Sequence, residues 1–146
     1  MSSVRRILQI KGQDVWSISP AASVYDALRM MCEKDVGALM VIENSRLVGI
    51  LSERDYARKV VLEGKSSRDT RVKDVMTPEV ITVHPEQTLH ECMEIMIDSH
   101  IRHLPVVLDE RVVGVISIGD VLNDIIYQQK ESIKSLEQKL LSKNES

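Results

Sequence analysis

Phenylalanine is absent from this 146-residue chain, and Trp16, Tyr25, Tyr56 and Tyr127 are its aromatic residues. A surface on which successive bases stack needs several rings, so this inventory argues against a single-strand nucleic-acid binder. A dominant charge is lacking too. The 19 basic and 22 acidic residues leave a net charge of -3, which gives no global attraction to nucleic acid or anionic lipid. Cysteine is limited to Cys32 and Cys92. With no CxxC spacing, they read as buried, reduced thiols of a cytoplasmic protein and not as a disulfide framework. Long hydrophobic runs are missing: Ala38–Ile42 is among the longest, far below the roughly 20 residues of a membrane-spanning helix. The stretch Met1–Ile7 lacks the apolar core of a secretory signal. A cytoplasmic chain with no membrane partner is expected.

What the chain has is an ordinary globular composition, 43% hydrophobic and 28% charged. At this length folding hides roughly 70% of the unfolded surface, so no metal or disulfide staple is required. It also has a repeat. Shifting the sequence by 65 residues lays Val15–Asp55 on Val80–Asp120 without a gap. Pro20 falls on Pro85, Met31 on Met96, Gly49 on Gly114, Ser52 on Ser117 and Asp55 on Asp120. Each copy is too small to bury its own apolar face, so the two are expected to pack on each other.

Each copy reads β-α-β-β-α. Val15–Ile18 and Val80–Val83 are short β-rich runs. Ser23 and Thr88 open capping boxes before the stripes Val24, Ala27, Leu28, Met31 and Leu89, Cys92, Met93, Met96. Ala38–Ile42 and His103–Leu108 read as buried strands, with turns at Asn44-Ser45 and Asp109-Glu110 leading to return strands. The expected fold is therefore α+β, two such units packed on each other. Unit one is placed at residues 8–68, unit two at 76–132, and a C-terminal helix at 121–142. A lead-in, Val4–Leu8, resembles Val72–Met76 at a different offset, 68 residues.

Chemistry concentrates in a second pair of boxes, Ser52-Glu53-Arg54-Asp55 and Ser117-Ile118-Gly119-Asp120, each directly after a strand. A helix start there presents free N–H groups, which accept phosphate readily. The serine can donate to a phosphate, and the aspartate can accept from both ribose hydroxyls. Capping alone also explains this spacing, at about 1 kcal/mol of helix stability. Residues 53–73 carry seven basic and four acidic side chains, a local excess suited to a polyphosphate or to a solvated face. Gly119 would admit close approach of a ligand.

The pieces Gly37–Val41, Arg102–Val106, Gly49–Asp55 and Gly114–Asp120, with the lead-in Val72–Pro78, resemble tandem CBS domains, named after cystathionine β-synthase. The resemblance covers roughly residues 4–128. It implies two CBS repeats paired with pseudo-two-fold symmetry as a Bateman module, with clefts for adenosine-containing ligands such as AMP, ATP, NAD or S-adenosylmethionine. Carried over by position, Asp55 and Asp120 would hold ribose, and Ser52 and Ser117 phosphate. The backbone at Gly37, Ala38, His103 and Pro105 would flank adenine, beside Trp16, Ser17, Ile81 and Thr82. Arg54 and Arg58 favour the first cleft for longer, more charged ligands.

No nucleophile–base–orienter triad can be assembled and no paired carboxylates fall in a plausible cleft, so catalysis and a catalytic cofactor are not expected. His100 and His103 lack further ligands for a metal. Leu122, Ile126, Gln129, Ile133, Leu136 and Leu140 step by fours and threes along the final helix, the seam of a coiled coil. The expected function is a regulatory module that binds an adenine nucleotide, forms a homodimer and signals to an effector protein. The alternative is a structural adaptor with vestigial clefts that acts through its C-terminal helix.

Overall fold

The computed structural model describes residues 3–145. The first repeat holds β1 (Ser17–Ile18), α2 (Val24–Lys34), β2 (Ala38–Glu43), β3 (Arg46–Ser52) and α3 (Glu53–Tyr56), which continues as a π-helical turn, Ala57–Val61. The second holds α5 (Leu89–Ser99), β4 (His103–Leu108), β5 (Arg111–Ser117) and α6 (Ile118–Glu145). A short helix precedes each: α1 (Val4–Lys11) and α4 (Val72–Val75).

Local chemistry repeats along with the sequence. Ser23 Oγ accepts from Asp26 N at 3.1 Å, and Thr88 Oγ1 accepts from Glu91 N at 3.2 Å. These caps fix the starts of α2 and α5. Both helices end on a left-handed residue, Asp35 and His100, each at φ 54°. Asn44 and Ser45, like Asp109 and Glu110, have positive φ. Two such residues make the tight turn whose twist suits a two-residue hairpin. The antiparallel pairs β2–β3 and β4–β5 have matching registers, with irregularities at Val41/Ile42 and Val106/Val107.

One strand differs. β1 pairs in parallel with β2, Ser17 beside Met40. In the second repeat only a bridge, Val83 beside Val106, replaces it. The cause is a missing donor. Met40 N donates to Trp16 O at 3.0 Å in the first repeat. Its counterpart is Pro105, which has no N–H.

The lead-in helices cross over. Val72 and Val75 of α4 lie in the core formed by Val24, Ala27, Met31, Leu39, Val41 and Leu51. Val4, Ile7 and Leu8 of α1 lie in the core of the second repeat, with Leu89, Cys92, Met96, Leu104 and Ile116. Equivalent hydrogen bonds hold both. Val72 N and Lys73 N donate to Ala22 O and Pro20 O, at 2.9 and 3.0 Å. Val4 N and Arg5 N donate to Gln87 O and Pro85 O, at 3.0 and 2.9 Å. Burying each of the three α1 side chains stabilises the fold by about 2 kcal/mol.

Two glycines make room for these crossings. A Cβ on Gly49 would lie 2.5 Å from Met76 Sδ, and one on Gly114 would lie 2.5 Å from Leu8 Cδ2.

Cys92 is buried, as expected, but Cys32 is exposed. It follows Met31 by one residue and so turns about 100° away from the apolar stripe. Burial and the nearby Glu91 carboxylate push the Cys92 thiol up to about 11. The seam of α6 is open: Leu122 is 44% exposed and Leu140 63%.

Candidate functional site

Ser52 and Ser117 end β3 and β5, and each closes a reciprocal cap. Asp55 N donates to Ser52 Oγ at 3.2 Å while Ser52 N donates to Asp55 Oδ2 at 3.0 Å. The corresponding distances for Ser117 and Asp120 are 3.2 and 2.8 Å. The next N–H groups are engaged as well, Glu53 N with Gly37 O at 3.0 Å and Ile118 N with Arg102 O at 2.9 Å. At each helix start three N–H groups are thus already bonded within the protein, those of Ser52, Glu53 and Asp55 and those of Ser117, Ile118 and Asp120.

A cleft of about 470 Å³ opens between the repeats. Ser52, Arg54, Asp55, Arg58 and Lys59 form one wall, the linker residues Thr77, Glu79, Val80 and Ile81 a second, and His100–His103 a third, above Gly37 and Ile50. Asp55 Oδ1 accepts from Thr77 Oγ1 at 3.2 Å and pairs with Lys59 Nζ at 3.2 Å. Lys59 also donates to Val75 O at 3.1 Å. Arg54 crosses to the other repeat, where it donates to His100 O at 3.0 Å. The volume falls within the range of small-molecule sites, and the walls mix apolar and charged groups as such sites do.

Seven residues singled out from the sequence meet here: Gly37, Ser52, Arg54, Asp55, Arg58, Ile81 and His103. Others do not. Successive residues of an extended chain face opposite sides, and Thr82 lines a separate depression with Arg46 and Val107. Ser17 is in β1, beside Met40, and the Trp16 ring lies under Lys34 Nζ at 4.4 Å. Ala38 and Pro105 are buried within their strands.

Thr77, Glu79, Lys59 and Arg102 line the cleft without having been chosen. Lys59 was visible as part of the basic run. Thr77 and Glu79 reach the site only because α4 crosses.

Ser117, Gly119 and Asp120 mark the equivalent place in the second repeat, and there the surroundings differ. Lys11 Nζ, at the end of α1, lies 2.6 Å from Asp120 Oδ2 and 2.9 Å from Val115 O. Alongside, Arg6 Nε is 3.4 Å from Asp124 Oδ1, and its guanidinium lies over Tyr127. Burial pushes the Asp120 carboxyl up. Hydrogen bonds from Lys11 and Ser117 outweigh that and hold it below the ordinary carboxylate value. His103 is held below its ordinary value, first by burial and then by the Lys11 charge, against the opposing pull of Asp120 and Glu53.

Among the described residues no cluster of three His, Cys, Asp or Glu side chains could hold a metal, and no helix is long and apolar enough to cross a membrane.

The CBS-domain family model matches residues 5–62 and 72–127. The mitochondrial CBS domain-containing protein CBSX3 of Arabidopsis thaliana is 43% identical over 119 residues, 78% of this chain and 58% of that protein. This chain thus matches little more than half the length of that relative, whose mitochondrial name also leaves the cytoplasmic expectation unsupported. A CBS-domain protein from Burkholderia ambifaria superimposes with a TM-score of 0.84 at 42% identity, over 88% of this chain and 96% of that one. The CBS domain pair of protein MJ0100, solved with 5′-methylthioadenosine and S-adenosyl-L-methionine, has a TM-score of 0.78 at 24% identity, over 88% and 98%. With both repeats matched and the paired architecture shared, this chain belongs to the CBS-domain family.

Proposed function

We propose that the chain is a non-catalytic regulatory module that binds an adenosine-containing nucleotide in the cleft between its repeats. One observation carries this reading. Asp55 faces a cleft of about 470 Å³ together with Ser52, Arg54 and Arg58. Its carboxylate is the acceptor we assign to the ribose hydroxyls, which would replace the contacts of Thr77 and Lys59 at Oδ1. Ile50, Ile81 and Ile101 supply apolar surface for a base, and His103 adds a planar ring. Arg54, Arg58 and Lys59 bring positive charge to one wall, which suits a di- or triphosphate such as ATP or NAD over AMP. The adenosyl ligands of the MJ0100 pair support the ligand class. The exposed seam of α6 is the surface we assign to a second copy, giving a homodimer whose contacts respond to the ligand and act on an effector protein.

Isothermal titration with adenosine, AMP, ATP, NAD and S-adenosylmethionine tests the reading. At least one is expected to bind, and Asp55→Asn should weaken it roughly 10- to 100-fold, since a hydrogen bond to a charged group contributes about 1.5–3 kcal/mol. Sedimentation of the same samples beside a chain ending at Tyr127 should give a dimer and a monomer respectively. If no adenosyl ligand binds, the adaptor reading takes its place.

A further inference from the structure

The final helix outruns the body it starts in. The first part of α6 packs on α5, β5 and α1, with Val121 and Asp124 buried. From Gln129 to Lys143 every residue is exposed, a projection of about 22 Å at the rise of an α-helix. A lone helix of that length is marginal in water and draws its stability from packing an apolar face. Such a face is present in the seam of Leu122, Ile126, Gln129, Ile133, Leu136 and Leu140, with Ile133 56% and Leu136 60% exposed. The Lys134–Glu131 pair, at 3.8 Å, lies off it.

The order of residues in the seam selects one geometry. Ile126, Ile133 and Leu140 take the first core position of each heptad, and Leu122, Gln129 and Leu136 the second. Isoleucine at the first position with leucine at the second favours two parallel strands. In register, such a pair sets each seam residue against its own copy. Five layers are then apolar, and in the sixth two Gln129 amides meet. An amide carries both donor and acceptor, so this layer satisfies itself. On the flanks Lys130 would stand beside the partner's Ile125, and Glu137 beside the partner's Ser132, with no like charges opposed there. Antiparallel pairings serve the seam less well. Full overlap sets Leu122 against Leu140 and Ile126 against Leu136, but each Gln129 amide then faces Ile133, and burying an unpaired polar group is costly. A shift of one heptad brings Lys130 to Glu137 and leaves Leu122 and Ile126 without apolar partners.

We infer that α6 pairs with the α6 of a second copy as a parallel, in-register coiled coil in which Gln129 fixes register and strand number. The inference rests on the assignment of this seam to a homodimer and adds its arrangement. Both modules sit at one end of the coil and both helix C-termini at the other.

Disulfide trapping in the full chain tests the arrangement, with the exposed Cys32 changed to serine throughout and thermal melting to confirm folding. On mild oxidation Ile126→Cys alone and Leu140→Cys alone should each give a covalent dimer on a non-reducing gel. A mass-tagged Ile126→Cys mixed with Leu136→Cys should give no product joining the two chains. Gln129→Leu should relax the choice, so that the mixed product appears or sedimentation shows species larger than a dimer. Gln129→Asn, which keeps the amide, should behave as wild type.

No trapping at Ile126 and Leu140, or the mixed product in their place, would overturn the parallel pairing and leave the homodimer intact, provided that wild type sediments as a dimer and a chain ending at Tyr127 as a monomer. A folded Gln129→Leu with the wild-type size and trapping pattern would overturn the role of Gln129. A monomeric wild type, or a dimer that survives ending the chain at Tyr127, would sink both this inference and the seam assignment.

Discussion

The first cleft and the equivalent place in the second repeat share a serine, an aspartate and a reciprocal cap, with cap distances within a few tenths of an ångström of one another. They differ in what the crossing lead-in delivers. Thr77 and Glu79 arrive beside Asp55, and Lys11 arrives at Asp120. Duplication has preserved the backbone that positions the aspartates, because caps and hairpins depend on residues close in sequence. The side chains opposite them come from remote segments and differ between the halves. A repeated motif therefore fixes a location, and the residues that reach it from remote segments set its charge.

Substitutions at the two crossings would test how equal the halves are. Gly49→Ala and Gly114→Ala each push a Cβ to 2.5 Å from a lead-in side chain, and such overpacking costs about 1–3 kcal/mol. Chemical denaturation should show both variants destabilised. Gly49→Ala also approaches Thr77 O at 3.1 Å, so it should weaken ATP binding at the first cleft while Gly114→Ala does not. Equal binding losses would break the assignment of one lead-in to each cleft.

A smaller effect concerns charge. Arg54→Ala with Arg58→Ala should weaken ATP about tenfold, roughly 1.4 kcal/mol, and leave adenosine unchanged. Equal losses for both ligands would remove the case for a polyphosphate.

The smallest concerns pH. Burial and Lys11 lower the His103 value, so the folded chain favours the neutral ring. The stability this group contributes is intact above its ordinary value of 6.5 and declines as pH falls from there through the lowered folded value. The contribution of Asp120 is present above 3.8 and is lost only at still lower pH. Denaturation at pH 7.5 and 5.5 should therefore show a drop in wild type that is smaller in His103→Gln. An identical drop in both would place the sensitivity elsewhere.

Much of this architecture was legible in the residues. The unbroken match of Val15–Asp55 to Val80–Asp120 revealed the repeat. Caps at Ser23 and Thr88 and turns at Asn44-Ser45 and Asp109-Glu110 marked the elements, because that chemistry is local. The first cleft was legible through Ser52, Arg54, Asp55 and Arg58, which lie within two helical turns. What escaped depended on distance or direction. Nothing in the spacing says on which repeat α1 packs, so Lys11 could not be placed. Trp16 and Ile81 were taken together with Ser17 and Thr82, although alternation sends neighbours to opposite faces. The effect of Pro105 on the missing strand became visible only once its counterpart Met40 was seen donating to Trp16.

The exchanged lead-ins also bear on how the chain matures as it leaves the ribosome. Synthesis proceeds from the N-terminus, and domains commonly fold as they emerge. The first half can complete its interior once residues 72–75 are available. Val4, Ile7 and Leu8 emerge before either repeat, yet the interior they belong to reaches Ile116 and Val121. Until β5 and the start of α6 have been made, that helix has no complete interior to dock on.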